Sequence, residues 1–287
     1  MLKHLVISVR PRQWYKNILL FVGIVFSANI LNISMWSTVI LAFIFFCMLS
    51  AGEYLINDVL DRERDRKHPV KCNRPIASGE LKVAQALAGA ALLIVLALTG
   101  SYLLINIEFL IISASYVVLA LLYSLILKRI VIADVLVISI GFVIRVSAGC
   151  LAINFSPSSW LVGCVFLLAL FLALGKRWSE LVVLSDEAEN HRESLSGLST
   201  RMLEQLTGIT TGVLIVSYML YTFFSQYNAM LITVPFVIYG LFRYLYLVHQ
   251  KEVGAAPEEI FTDKAILIDF GIWILLVVSI ILHSILA

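Results

Sequence analysis

Between Asn17 and Gly52 the chain runs for 36 residues without one Asp, Glu, Lys or Arg. A single membrane span takes roughly 20 apolar residues to cross about 30 Å of hydrocarbon. The run therefore holds two spans, with a turn near Asn29 to Ser34. A second run, Gln205 to Phe242, has 38 residues and divides at Gln226-Tyr227-Asn228. A third, Val146 to Gly175, divides at Asn154 to Ser159, around Pro157. With the stretches near 83–106, 109–127 and 264–286, the pattern predicts nine helices. Their expected limits are 15–31, 36–56, 83–106, 109–127, 131–152, 159–176, 206–226, 230–249 and 264–286.

Composition agrees: 61% of the 287 residues are hydrophobic and 14% are charged, where soluble domains carry about 25% charged residues. This excludes a water-soluble globular protein, a disordered chain and a nucleic-acid binder. Cys47, Cys72, Cys150 and Cys164 show no metal-ligand spacing, and three lie in apolar stretches, so they read as small core residues. The first sixteen residues carry Lys3, His4, Arg10, Arg12 and Lys16, which argues against a cleavable signal peptide. The expected fold class is an all-α polytopic membrane protein, a single domain over residues 1–287.

Charge placement sets the expected orientation. Of the 21 Lys and Arg, all but Arg145 fall in the N-terminal tail, after helices 2, 4, 6 and 8, or at the helix ends beside them. The opposite turns carry Glu108 as their one charged residue. The positive-inside rule then puts the N-terminus in the cytoplasm and the C-terminus outside, in a plasma (inner) membrane. Two long cytoplasmic segments, about 57–82 and 177–204, hold most of the ionisable residues.

The first of these, Asn57-Asp58-Val59-Leu60-Asp61-Arg62-Glu63-Arg64-Asp65-Arg66-Lys67-His68-Pro69, follows helix 2 directly. A continuing helix stacks Asn57, Asp61 and Asp65 at i, i+4 and i+8 on one face, Asp58 flanking, until Pro69 stops it. Two or three carboxylates and an amide in a row suit Mg²⁺, which takes oxygen ligands and completes its shell with water and substrate phosphate. Lys71 and Arg74 are cations fitted to phosphate oxygens. The competing reading is a solvated juxtamembrane helix stitched by i,i+4 ion pairs.

Asn57-Asp58-x-x-Asp61-x-x-x-Asp65, with Lys71 and Arg74-Pro75 behind it, resembles the first aspartate-rich motif of the UbiA superfamily of intramembrane prenyltransferases. The resemblance implies that Asn57, Asp58, Asp61 and Asp65 hold Mg²⁺, and through it a substrate's diphosphate. Three further segments look like the decaprenyl-phosphate phosphoribosyltransferase branch. They are Arg10-Pro11-Arg12-Gln13-Trp14-Tyr15-Lys16-Asn17, Gly175-Lys176-Arg177-Trp178-Ser179-Glu180-Leu181, and Gly254-x-x-Pro257-Glu258-Glu259 with Asp263. The wider superfamily carries a second aspartate-rich motif after helix 6. This chain has Lys176, Arg177 and Glu180 there, and Asp186, Glu187, Glu189 and Glu193 further on do not reproduce its spacing. Direct Lys/Arg contact suits the 5-phosphate of phosphoribosyl diphosphate.

The resemblance thus implies attack by a polyprenyl phosphate oxygen on C1 of the ribose, with diphosphate leaving, in the service of cell-wall glycan assembly. The roles expected from it are leaving-group metal binding by Asn57, Asp58, Asp61 and Asp65, and charge neutralisation by Lys71 and Arg74. Lys176 and Arg177 are expected on the 5-phosphate, with Glu180 orienting Lys176 or accepting from ribose hydroxyls. Arg10, Arg12 and Lys16 are candidates for the lipid phosphate, although basic residues there also satisfy the positive-inside rule. Tyr123, Lys128 and Arg129 resemble family positions near the cavity, and a cytoplasmic helix end needs Lys and Arg in any case.

Arg145 lies about 13 residues into helix 5, a costly place unless it is paired or wet. Asp134 is three turns earlier and can share its face, so Arg145 is either a phosphate ligand or part of an internal pair holding helices. Asp269 reads as an interhelical polar contact, and Gly141 and Gly149 as close-packing positions. The five histidines, His191 included, form no metal spacing.

The expected partners are phosphoribosyl diphosphate, a polyprenyl phosphate and the lipid bilayer, with Mg²⁺ as cofactor and homo-oligomerisation left open. The nearest rival is transfer of a prenyl group from its diphosphate to an aromatic or other lipid acceptor at the same aspartates. A small-solute transporter is the rival from another class; it calls for polar chemistry along a midplane path, which this chain lacks.

Overall fold

The structure, a computed structural model, describes residues 2–184, 197–250 and 263–286, and every element in them is helical. The α-helices are α1 (Leu2–Ser8), α2 (Val22–Phe26), α3 (Ile33–Leu60), α4 (Arg62–Lys67), α5 (Pro75–Ser78), α6 (Val83–Leu104), α7 (Ile107–Leu125), α8 (Ala133–Ala152), α9 (Ser159–Leu184), α10 (Thr200–Phe223), α11 (Val234–Gln250) and α12 (Lys264–Leu286). Short 3-10 segments lie at Lys71–Asn73, Leu127–Arg129 and Asn228–Thr233.

Among the described residues, eight helices are long and apolar enough to cross a membrane, from Ile33–Leu60 to Lys264–Leu286. The first of the nine expected spans takes a different form. A 3-10 helix over Pro11–Phe21 runs into α2, starting from Arg10 in the left-handed region (φ 50°) with Pro11 at the first helical position. A 3-10 helix rises about 2.0 Å per residue against about 1.5 Å in an α-helix, so the two pieces reach roughly 30 Å with few residues. Helix starts follow from local chemistry. Asn32 Oδ1 accepts from Ser34 N (3.1 Å), Asn106 Oδ1 from Phe109 N (2.7 Å), and Ser199 Oγ from Met202 N (3.1 Å), each satisfying a backbone N–H that a helix start leaves open.

The chain divides into two compact units, residues 1–127 with 144–157, and residues 128–143 with 158–287, the boundary falling inside α8. In the first, α3 is the buried helix. Phe46 meets Phe109 and Tyr116 at ring separations of 5.8 and 5.3 Å, and Leu20, Ile24, Leu49 and Ala148 complete that core. A smaller cluster of Leu55, Ile76, Leu81 and Ala90 lies beneath α5 and α6. α6 and α7 turn Leu92, Val95, Leu103, Ile111 and Val118 outward, the all-round hydrophobicity of helices that face lipid. In the second unit, Phe171 and Tyr244 pack at 5.0 Å with Leu214, Leu241 and Val248. α12 presents Ile268, Phe270 and Leu275 outward.

The expectation of close packing at Gly149 meets a specific geometry. A Cβ there would fall onto the backbone carbonyl of Leu20, and one at Gly23 would lie 2.8 Å from Cys150 N. The first helical segment and α8 thus touch backbone to backbone, the contact small residues permit in membranes. Asp269, expected as an interhelical contact, lies against α11, with its Oδ2 3.1 Å from where a Cβ of Gly240 would be.

Gly149→Ala should lower the melting temperature of the detergent-solubilised protein, because the opposing atom is backbone and the clash costs about 1–3 kcal/mol or more. Gly163→Ala, at a position with open space around it, should leave the melt unchanged or raise it, as replacing a helical glycine recovers up to about 1 kcal/mol. Equal melting of the two variants would contradict this account of the contact.

Candidate active site

The aspartate-rich segment begins where α3 ends. Asp61 is a turn residue between α3 and α4, yet its N–H donates to Asn57 O (2.9 Å) and Asp65 N–H donates to Asp61 O (2.8 Å). The i→i−4 ladder survives at those two points, so Asn57, Asp61 and Asp65 keep helical register across the break. α4 stops before Pro69 with His68 extended, as the residue before a proline prefers. His68 Nδ1 then accepts from Val70 N (3.1 Å) and Lys71 N (3.3 Å), folding the chain back through Lys71–Asn73.

That return brings Arg74 onto the aspartates. Its Nη1 donates to Asp58 Oδ1 (3.1 Å) and Asp65 Oδ2 (2.6 Å). Asp58, only 2% exposed, also accepts from Arg10, whose guanidinium lies 5.1 Å from the Tyr54 ring centre. The left-handed backbone at Arg10 is held by this double engagement of its side chain. Arg66 serves the scaffold, donating from Nε to Ala77 O (3.0 Å) and from Nη1 to Glu63 Oε1 (3.1 Å). Lys71 and Lys16 are half-buried and Arg12 is exposed.

Asn57, Asp58, Asp61 and Asp65 offer oxygen donors only, the set a hard cation takes. Asp58 and Asp65 both aim an oxygen at one nitrogen of Arg74, so positive charge is what that spot accepts. Three carboxylates do not close on a single point among the described residues. Mg²⁺ characteristically keeps several waters and takes one or two carboxylates plus substrate phosphates, and the residues fit an ion of that kind.

Deeper in the same unit, Arg145 is 8% exposed and belongs to a polar chain. Its Nε donates to Asn17 Oδ1 (2.9 Å) and its Nη2 to Tyr116 Oη (2.8 Å). Tyr116 donates to Glu53 Oε2 (2.7 Å), and the Arg145 guanidinium stacks over the Tyr116 ring at 4.9 Å. Of the two expected roles, an internal link between helices is what this geometry provides. Asp134, expected to share the face of Arg145, accepts from Arg177 Nε at 2.7 Å. The reason is distance: Asp134 sits in the first turn of α8, and at about 1.5 Å per residue Arg145 lies roughly 16 Å further along it.

The second unit carries the Lys176, Arg177 and Glu180 group on α9. Arg177 is almost wholly enclosed (side chain 3% exposed), donating to Asp134 and to Glu180. Lys176 is 37% exposed, with Nζ 4.0 Å from Glu180 Oε1. Trp178 Nε1 donates to Glu204 Oε1 (3.1 Å), and its ring packs 4.6 Å from that of His249. Tyr123 and Lys128 are half-buried and Arg129 is exposed, at and after the end of α7. Asp263 accepts from Arg243 Nη2 (2.8 Å) and from Ile266 N (3.0 Å), capping α12. Those bonds, the guanidinium first, hold its carboxyl down at about 2. Asp186, Glu187, Glu189, His191, Glu193 and the Gly254, Pro257, Glu258, Glu259 segment lie outside the described residues.

Sequence reasoning missed the Arg10–Asp58 pair, the Asp134–Arg177 pair and the Glu53–Tyr116–Arg145–Asn17 chain. Glu53 and Asn17 were the available signals, each a polar residue at the edge of a long apolar run.

Arg74→Ala should cost about 3 kcal/mol of stability, since it strips a shared cation from two buried carboxylates. Adding Asp58→Asn should recover a good part of that loss in a double-mutant cycle read by thermal melting. Strictly additive losses would mean that the two groups do not interact.

Residues 18–262 match the UbiA prenyltransferase family. The chain is 31% identical to a decaprenyl-phosphate phosphoribosyltransferase of Mycolicibacterium smegmatis, over 94% of this chain and 90% of that one. It is 30% identical to a protein of the same name from Corynebacterium glutamicum, over 94% and 84%. Its fold resembles that of a UbiA homolog from Archaeoglobus fulgidus bound to GPP and Mg²⁺, with a TM-score of 0.75 over 97% of this chain and 99% of that one, at 17% identity. By fold and by sequence, this chain is a member of the UbiA prenyltransferase family.

Proposed function

We propose that this membrane transferase moves 5-phosphoribose from phosphoribosyl diphosphate to a polyprenyl phosphate. The observation that carries the reading is the similarity, over nearly the full length, to two proteins named decaprenyl-phosphate phosphoribosyltransferase. Cationic Lys176 beside Glu180, at the position where the wider superfamily has acids, supports it.

In the proposed reaction an oxygen of the lipid phosphate attacks C1 of the ribose, the bond from C1 to the diphosphate oxygen breaks, and diphosphate leaves with the electron pair. The acceptor is already anionic, so the chemistry asks for alignment and for neutralisation of the leaving group. Asn57, Asp61 and Asp65, with Asp58 beside them, would hold Mg²⁺, which supplies charge neutralisation on the diphosphate. Lys71 and Arg74 add donors to the same leaving oxygens. Lys176 is assigned to the 5-phosphate, and Glu180 to orienting that lysine and accepting from ribose hydroxyls. Arg12 and Lys16, at the start of the first helical segment, are assigned to the lipid phosphate, with Tyr123 and Lys128 as further contacts. The charge distribution supports an orientation with these groups and the N-terminus on the cytoplasmic side of the plasma membrane.

Purified protein incubated with Mg²⁺, phosphoribosyl diphosphate and a polyprenyl phosphate should yield lipid-linked phosphoribose by mass spectrometry. EDTA should abolish it, and Asp61→Ala should lower the rate by a factor of roughly 10² or more while the protein still melts cooperatively. Prenylation of an added aromatic acceptor from a prenyl diphosphate, with no phosphoribosyl product, would overturn the donor assignment.

A further inference from the structure

We infer that Arg177 is a positioning residue that acts through Glu180 and is itself anchored by Asp134, leaving Lys176 as the cation of this group that meets the donor's phosphate. The inference rests on the transferase reading above and deepens it.

Four charged side chains lie together: Asp134 on α8, and Lys176, Arg177 and Glu180 on α9. Arg177 lies at the centre, with Nε on Asp134 Oδ2 at 2.7 Å and Nη1 on Glu180 Oε2. Its side chain is 3% exposed and that of Asp134 is 2% exposed. With two of its nitrogens on carboxylates and its side chain 3% exposed, Arg177 offers an arriving phosphate little access. Drawing Arg177 off Asp134 would also break a buried ion pair, which is strongly destabilising. Lys176 is the more accessible cation. It is 37% exposed, one turn from Glu180, and its Nζ stands 4.0 Å from Glu180 Oε1.

The carboxylate of Glu180 is therefore divided between two cations. Oε2 is taken by the enclosed arginine, which fixes the plane of the group, and Oε1 is left facing the accessible lysine. The planar guanidinium is suited to this task, because its donors stand in a rigid fork and hold two acceptors at a set angle. Asp134 supplies the other end of the clamp from a different helix, so the orientation of Glu180 is referred to α8 as well as to α9. A lysine in place of Arg177 preserves the charge and loses the fork. This substitution separates positioning from simple charge attraction.

Steady-state kinetics test this on purified full-length protein in detergent with varied phosphoribosyl diphosphate. Lys176→Ala should raise KM for the donor about tenfold, as loss of a ground-state contact does. Arg177→Lys and Asp134→Asn should lower kcat by about 10- to 100-fold with KM within a factor of about two, the mark of misplaced groups. In a Glu180→Gln background, Arg177→Lys should cost little more, since the residue through which it acts is already altered. A raised KM at unchanged kcat in Arg177→Lys would make Arg177 a direct phosphate ligand and overturn the proposal. So would full additivity with Glu180→Gln. Asp134→Asn carries the same decision if the arginine variant does not melt cooperatively. A parent protein that ignores phosphoribosyl diphosphate but turns over a prenyl diphosphate refutes the donor reading instead, and the same KM and kcat comparison on that donor then decides the role of Arg177.

Discussion

Burial strips an ion of its water, so a charge enclosed in this protein needs an answer from the chain itself. Three groups show how. Asp58 is met by Arg10 and Arg74, Asp134 is met by Arg177, and Arg145 is met by Asn17 and by the tyrosine that bonds Glu53. In each, the partners come from distant parts of the chain, so the electrostatic requirement also sets which helices lie together. Arg10 ties the first turn of the 3-10 segment to the end of α3, and Arg145 ties that segment and α7 to α8. The apolar surfaces alone would not select those pairings, because lipid competes for a leucine as well as a neighbouring helix does.

Such pairing also shapes what the site can do. A carboxylate that shares a guanidinium is held in place before any substrate arrives, and holding groups in place is most of what a phosphoryl-linked transfer requires of its protein. Arg74 does this for Asp58 and Asp65, and Asn57 and Asp61 share the helical row of Asp65. Ion pairs thus fix part of the cluster, and helix register aligns Asn57, Asp61 and Asp65.

Much of this was legible beforehand. The apolar runs delimit eight of the spans, Asn32 marks the first turn within the residues expected for it, and Pro69 ends α4. Asn57, Asp61 and Asp65 keep the register that their spacing implies. The first segment was not legible as a 3-10 helix, because the feature that starts it is the left-handed backbone of Arg10. Pairings such as Asp134 with Arg177 join residues 43 apart, and nothing in a local pattern selects a partner at that distance. Arg145 is instructive on this point. Its depth in an apolar helix announced a buried partner, but the partners proved to be an amide and a phenol, groups too common in sequence to single out.

The surviving ladder through Asp61 has one more consequence. Because Asp61 N–H still reaches Asn57 O and Asp65 N–H still reaches Asp61 O, the spacing of this motif is a matter of phase as well as composition. Each α-helical residue turns the chain by about 100°. An insertion or deletion of one residue between Asn57 and Asp65 would swing the later carboxylate off its row while every side chain remained present. Substitution can therefore probe the identities in this segment, but its length is a separate constraint, one that decides where the later carboxylate points.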